Sequence, residues 1–319
     1  MGTESRRILL ANPRGFCAGV DRAIQIIEDL LDVHPGTLYV RKEIVHNRDV
    51  VERLRGRGVV FVDELAEVPN DSLAVFSAHG VAPDVRRQAA ERNLRVVDAT
   101  CPLVTKVHVE ALRFARDGYF VLLIGHAGHD EVTGTLGQIP GSIALVENEV
   151  DAATVAVPDP QRVAVVTQTT LSLDDTHGIL AALKRRFPAL KEPPSSDICY
   201  ATQNRQNAVK ELAVACDVVL VVGSQNSSNA QRLRDCSAEA GTPAYLIDGP
   251  NEIERAWIAH ATTIGVTAGA STPEHLVARV VEHVRAIVGD ADVEEFGKRE
   301  PTIVFAPPRE LAGIIASGE

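Results

Sequence analysis

One local pattern occurs three times in this chain and dictates most of what the chain can fold into: an extended stretch, a cysteine, then a helical periodicity. The apolar run Ile8-Leu9-Leu10-Ala11 stops at Asn12-Pro13, Cys17 sits in the turn, and a helical pattern begins after Gly19. Val96-Val97-Asp98-Ala99-Thr100-Cys101 leads into a helix predicted over 103–116, and Asp197-Ile198-Cys199 into one over 204–215. Each of these helices feeds a second strand, predicted over 37–40, 119–124 and 217–222, and a third strand over 72–76, 162–166 and 262–266 closes each unit. Internal repetition of this kind implies one supersecondary unit used more than once. Strands that alternate with helices build parallel sheets, on which ligands bind beyond the carboxyl ends of the strands. The expected fold is therefore α/β, with three similar β/α units and parallel sheets arranged pseudo-threefold around a centre where the three cysteines meet. The expected boundaries are 6–98, 99–196 and 197–287, followed by a C-terminal tail over 288–319.

A cysteine at the start of a helix has backbone N–H groups and the helix dipole to favour its thiolate. Three such thiolates from three units point to a soft metal site. Zinc with three cysteines and a water is one reading, although zinc cysteines usually come in close pairs and the chain has no Cys-x-x-Cys. An iron–sulfur cluster held by three cysteines instead of the usual four is the other, and it leaves one iron open. Cys216, at the end of a helix, and Cys236, in the middle of one, read as packing residues.

The strand ends carry a second signal. His46, His79 and His129 fall in loops that follow strands, beside the hydroxyls and amides of Thr169, Ser227, Ser228, Asn229 and Ser271. The remaining histidines, apart from His126, fall on helices or turns, and His126 reads as shaping its loop. Imidazolium, hydroxyl and helix N-terminal donors together suit a diphosphate. Glu131, two residues past His129, is the carboxylate best placed for proton transfer, with Asp130 beside it as a competitor.

Other classes are excluded by what the chain lacks. A net charge of −11 with 4% aromatic residues provides neither the basic footprint nor the stacking residues of a nucleic-acid binder. No window approaches the roughly 18 apolar residues of a membrane span, and the short basic N-terminus has no signal-peptide core. A cytoplasmic protein is expected, and five cysteines at wide spacing do not read as a disulfide framework. The glycine-rich loop over 125–137 lacks the Lys-Ser/Thr ending of a phosphate-binding loop, and no Gly-x-Gly-x-x-Gly follows the first strand. Helices are also expected over 21–31, 48–57 and 83–92, and the apolar stretch over 302–305 reads as an edge strand or extended clamp.

Read together, these motifs resemble the 4-hydroxy-3-methylbut-2-enyl diphosphate reductase family of the non-mevalonate isoprenoid route. The resemblance runs over 8–305: Ala-Asn-Pro-Arg-Gly-Phe-Cys-Ala-Gly-Val at 11–20, Ala-Thr-Cys-Pro at 99–102, Gly-His-x-Gly-His-x-Glu-Val at 125–132, Thr-Gln-Thr-Thr-Leu-Ser at 167–172, Ile-Cys-Tyr-Ala-Thr at 198–202 and Gly-Ser-x-Asn-Ser-Ser-Asn at 223–229. Asp130 stands where proline is common in the family, and Gln225 where lysine is common. The resemblance implies a central [4Fe–4S] cluster on Cys17, Cys101 and Cys199, whose open iron would take the substrate hydroxyl. It implies diphosphate binding by His46, His79, Ser227, Ser228, Asn229 and Ser271, with His129 lining the pocket. Thr169 would orient the hydroxyl and Glu131 would supply protons. Two electrons would then remove the hydroxyl as water through an allyl-type intermediate, giving isopentenyl or dimethylallyl diphosphate. With no nucleotide site, the electrons would arrive singly from a ferredoxin or flavodoxin. A three-cysteine zinc hydrolase and a non-catalytic iron–sulfur sensor are the rival classes; the first would be colourless, and the second has no use for the histidine and hydroxyl cradle.

Overall fold

The computed structural model describes residues 6–317, and the strand and helix periods of the sequence recur in it. In chain order the first part comprises β1 (Arg6–Asn12), α1 (Ala18–Val33), β2 (Leu38–Arg41), α2 (Arg48–Gly56), β3 (Val60–Val62), β4 (Leu73–Phe76), α3 (Pro83–Glu91) and β5 (Arg95–Asp98). The middle part comprises α4 (Pro102–Arg116), β6 (Phe120–Ile124), α5 (Asp130–Leu136), β7 (Ile143–Val146), α6 (Glu149–Thr154), β8 (Val163–Thr167) and α7 (Leu173–Arg186). The last part comprises α8 (Tyr200–Ala215), β9 (Val218–Val222), α9 (Ser228–Glu239), β10 (Ala244–Ile247), α10 (Arg255–Ile258), β11 (Thr263–Ala268), α11 (Glu274–Val288), β12 (Ala291–Gly297) and α12 (Arg309–Ser317).

The protein is α/β, with three sheets whose strands pair in parallel throughout. Their orders are β10-β9-β11-β1-β12, β3-β2-β4-β5 and β7-β6-β8. Position for position these orders match: β10, β3 and β7 lie outermost, then β9, β2 and β6, then β11, β4 and β8. The chain divides into two compact units. One gathers 6–20, His46–Arg53 and Tyr200–Ile303 around the five-stranded sheet. The other gathers Asp21–Val45, Leu54–Cys199 and 304–317 and holds the other two sheets.

Period-two burial explains the layering of the five-stranded sheet. Ile8, Leu10, Val218, Leu220 and Val222 pack on one face against Val277, Val280 and Val284 of α11. Leu9, Ala11, Val219 and Val221 pack on the other against Leu212 of α8 and Leu233 of α9. Helices thus cover both faces, as an all-parallel sheet requires. Among the described residues, no helix is long and apolar enough to cross a membrane.

The strands group differently from the sequence-contiguous reading. β1 does not join β2 and β4; it pairs with β11 and β12. β5, whose end enters Cys101, completes the sheet of β2, β3 and β4 by pairing with β4, inside the expected 6–98 boundary. Apolar periodicity decides that a segment is a strand and which faces it buries, but not which neighbour it meets. The segment before Cys199 forms no strand. In its place a single bridge joins Lys191 to Ala164 of β8, and Pro193 and Pro194, which lack the N–H a ladder needs, follow it. The edge strand of the tail is also not at 302–305, where Val304 is 83% exposed. It is β12, whose Asp292, Glu294 and Glu295 read as charged tail in the sequence but suit an exposed sheet edge. Arg7 of β1 pairs with Glu294 across it at 2.8 Å.

Candidate active site

The three cysteines occupy equivalent places. Cys17 precedes α1, Cys101 caps α4 with Pro102 in its first turn, and Cys199 precedes α8. Each cysteine N–H donates to a carbonyl two residues past a strand: Cys17 to Ala270 beyond β11 (3.1 Å), Cys101 to Ala78 beyond β4 (3.0 Å) and Cys199 to Thr169 beyond β8 (3.0 Å). All three are half-buried, and none of the chain's five cysteines is in a disulfide. Gly15 makes the Cys17 turn possible: its φ is +66°, and an added Cβ would come within 3.1 Å of the Thr272 carbonyl.

In the unit that holds Cys101 and Cys199, the loops after β4, β6 and β8 bring His79, His129, Glu131 and Thr169 into one connected group. Glu131 lies in the first turn of α5 and is 2% exposed. Its Oε1 accepts from the Thr169 N–H (2.7 Å) and its Oε2 from the Thr169 hydroxyl (2.9 Å). Since the Thr169 carbonyl holds the Cys199 N–H, the run Glu131–Thr169–Cys199 is continuous. His129 caps α5, its Nδ1 accepting from the Glu131 N–H at 3.2 Å. The neutral ring therefore carries its proton on Nε2, leaving that N–H as a donor. His79 meets His129 edge to face, ring centres 5.8 Å apart, and its Nδ1 lies 3.3 Å from the Ser77 hydroxyl.

In the unit that holds Cys17, the loops after β9 and β11 gather the remaining candidates. The Ser271 hydroxyl donates to the His46 carbonyl (2.8 Å), and Ser271 adjoins the carbonyl that holds Cys17. Asn226 Nδ2 lies 3.5 Å from His46 Nδ1. Ser227 caps α9 through its Oγ, and Ser228 opens that helix. Asn229, in the same first turn, is 4% exposed, yet neither its Nδ2 nor its Oδ1 has a hydrogen-bond partner. A buried amide left unsatisfied on both atoms is costly unless a ligand completes it.

Supporting residues escaped the sequence reading. Gln168, 1% exposed, accepts from the His126 N–H (3.0 Å) and donates to the Thr170 hydroxyl (2.9 Å), tying the loops after β6 and β8 together. Asn47, adjacent to His46, accepts from the Val50 N–H (3.1 Å) and so caps α2; an Asn just before a helical run was the available signal. Asp197, two residues before Cys199, accepts from the Thr167 N–H (3.1 Å), and burial raises its carboxyl's pKa against the opposing pull of that bond and of Lys106. His108, one turn and a half along α4, is held neutral, its pKa lowered to about 4 by burial and by Arg86.

A model of the LytB protein family matches residues 8–285. The chain belongs to the LytB family. Among its LytB-family relatives, the 4-hydroxy-3-methylbut-2-enyl diphosphate reductase of Hahella chejuensis is 60% identical over 309 residues, covering 96% of this chain and 97% of that one. The enzyme of the same name from Marinobacter nauticus is 57% identical over an equal span, 96% of this chain and 98% of that one. The solved structure of the E-1-hydroxy-2-methyl-but-2-enyl-4-diphosphate reductase from Plasmodium falciparum matches with a TM-score of 0.94 at 36% identity, covering 98% of this chain and 99% of that one. A second solved reductase, described as the terminal enzyme of the non-mevalonate pathway, matches at 0.64 and 33% identity, covering 88% of this chain and 99% of that one. Like these LytB-family reductases, the chain is an enzyme.

Proposed function

We propose that this LytB-family enzyme converts 4-hydroxy-3-methylbut-2-enyl diphosphate to isopentenyl and dimethylallyl diphosphate, using a [4Fe–4S] cluster held by Cys17, Cys101 and Cys199. The donor set fits such a group: three thiols outside any disulfide, half-buried, each at a helix start that favours the thiolate. A pseudo-threefold arrangement of three similar β/α units around that cluster is part of this reading, and the matching order of the three sheets supports it once β1 is counted with the third unit's sheet and not with 6–98. When bound, the cluster supplies electrons singly and an iron with Lewis acidity.

The remaining work falls to the chain's own side chains. Net reaction consumes two electrons and two protons: one proton leaves with the hydroxyl as water, and the other goes to carbon. Glu131 holds the proton and Thr169 orients the substrate hydroxyl, since the Thr169 Oγ donates to Glu131 Oε2 and links the carboxyl to the site. His46, His79, Ser227, Ser228, Asn229 and Ser271 bind the diphosphate, and His129 lines the pocket with its Nε2–H. The unsatisfied amide of Asn229 supports a polar ligand at the α9 start, where helix N–H groups favour an anion. The observation that carries the whole reading is the unbroken run Glu131–Thr169–Cys199, a buried carboxyl two hydrogen bonds from the amide of a ligand cysteine.

A cytoplasmic location and an external one-electron donor such as a ferredoxin or flavodoxin complete the proposal. The test is anaerobic turnover of the allylic diphosphate by the iron-loaded protein with a chemical one-electron reductant. Formation of both diphosphate products supports it; no turnover by fully loaded protein contradicts it.

A further inference from the structure

Three cations recur at one place relative to the three cysteines. Arg22, Lys106 and Arg205 stand five, five and six residues after Cys17, Cys101 and Cys199, on α1, α4 and α8. Each is aimed at the approach to the next cysteine. Arg22 Nη1 donates to the carbonyls of Ala99 (3.3 Å) and Thr100 (3.1 Å), the two residues before Cys101. Lys106 Nζ donates to the carbonyls of Ser195 (3.1 Å) and Ser196 (2.7 Å) and to Asp197 Oδ1 (3.2 Å), on the segment entering Cys199. Arg205 donates from Nε and Nη2 to the Gly15 carbonyl (3.0 and 2.8 Å) and from Nη2 to that of Phe16 (3.1 Å), the two residues before Cys17. The order is cyclic, and every contact lies within one compact unit.

These bonds complement those already described. Each cysteine's N–H is taken by a strand-end carbonyl, and the carbonyls just upstream are taken by a cation, so the loop is gripped on both its donor and acceptor sides. Arg205 is 1% exposed and its charge is balanced by Glu300 at 3.0 Å. A buried guanidinium needs such a partner, and its planar fork suits two adjacent carbonyls.

We propose that Arg22, Lys106 and Arg205 are positioning residues that preset the three cysteine loops before metal binds, and that Arg22 and Lys106 also leave positive charge on the approach to their ligands afterwards. The inference rests on the cluster reading above. Loops held from outside keep ligands in place without being ligands themselves. Three thiolates give the loaded centre a negative charge that grows on reduction, so adjacent cations raise its reduction potential.

The test substitutes Arg22→Met, Lys106→Met, and Arg205→Met together with Glu300→Gln so that no carboxylate is stranded. Arg22→Lys, Lys106→Arg and Arg205→Lys keep the charge. Hydrogen exchange on the cluster-free full chain is the first readout, and the midpoint potential of the anaerobically reconstituted protein is the second. Each methionine variant is expected to speed exchange roughly tenfold or more in the loop its cation holds: 99–102 for Arg22, 195–199 for Lys106 and 15–17 for Arg205. The other two loops keep wild-type protection. Loaded Arg22→Met and Lys106→Met titrate at lower potential than wild type, and Arg22→Lys and Lys106→Arg return toward it; the Arg205→Met, Glu300→Gln variant loses a cation and an anion together and is read by exchange alone. Unchanged exchange, or protection lost evenly over all three loops and the core, overturns the clamps. Local loss of protection with a wild-type potential overturns the electrostatic half. If wild type itself takes up no iron and sulfide, the cluster reading fails, while the exchange pattern of the cluster-free chain still judges the clamps.

Discussion

Helix α8 has a cysteine at each end, both half-buried, and the two differ in what surrounds them. Cys199 stands before the first turn, half-buried, its N–H held by Thr169 and its neighbours gripped by Lys106. Cys216 stands after the last turn. Burial and the charge of Asp217 push its thiol up to about 12, and an added Cβ on Gly265 of β11 would lie 3.0 Å from its sulfur. A helix favours negative charge at its start and opposes it at its end. Cys236, inside α9 and 1% exposed, packs with Leu233 and Val219 as an apolar residue. In the proposed function, position on the helix separates ligand from filler.

The sharpest way to break that contrast is substitution at the two ends of α8. Cys199→Ser is expected to abolish the brown colour and the bound iron, as are Cys17→Ser and Cys101→Ser. Cys216→Ser should keep the colour and change stability by about 1 kcal/mol. Iron, sulfide and visible absorption on anaerobically prepared variants measure this; full iron in Cys199→Ser would erase the distinction.

A second contrast lies between adjacent carboxylates at the start of α5. Glu131 is buried and doubly bonded to Thr169, whereas Asp130 is only half-buried. Glu131→Gln is expected to lower turnover roughly 10²-fold or more at normal iron content, the usual scale for lost acid catalysis. Asp130→Asn should turn over near the wild-type rate. The reverse pattern in steady-state rates would move the proton donor one residue back.

The histidines divide more gently. His46→Asn and His79→Asn should each raise KM roughly 10-fold to 100-fold, because a charge-assisted bond to diphosphate contributes about 1.5–3 kcal/mol. Histidines inside helices should leave KM alone. Unchanged KM in both loop variants would remove the diphosphate cradle.

The smallest effect contrasts the start of α4, at Cys101, with its interior at His108. That imidazole is buried neutral with its pKa lowered to about 4, so between about pH 4 and 6.5 the unfolded chain binds more protons. Its contribution is present above pH 6.5 and lost as pH falls, by roughly 2 kcal/mol between pH 7.5 and pH 5. Thermal melts at both pH values should show a smaller loss for His108→Gln than for wild type. An equal loss in both proteins would assign the acid sensitivity elsewhere.

Helices α1 to α4 and α8, the inner strands and the helix-start positions of the three cysteines were legible in the sequence, because each is a short local pattern, whereas Glu131, Ser228 and Asn229, read in loops, lie in the first turns of α5 and α9. Partners distant in sequence were not legible. That β1 crosses to β11 depends on pairing over most of the chain's length, which no local period encodes. β12 escaped because an exposed edge strand carries acidic residues where a buried one carries valines. Arg22, Lys106 and Arg205 were visible at a near-constant offset from the cysteines, yet a cation on a helix ordinarily faces solvent, and only the carbonyls opposite give the offset meaning.

Whether the three helix-start cysteines hold an iron–sulfur cluster is read most directly by metal and acid-labile sulfide analysis of the wild-type protein purified without oxygen. About four iron and four sulfide per chain are expected. One zinc per chain without sulfide would contradict the cluster.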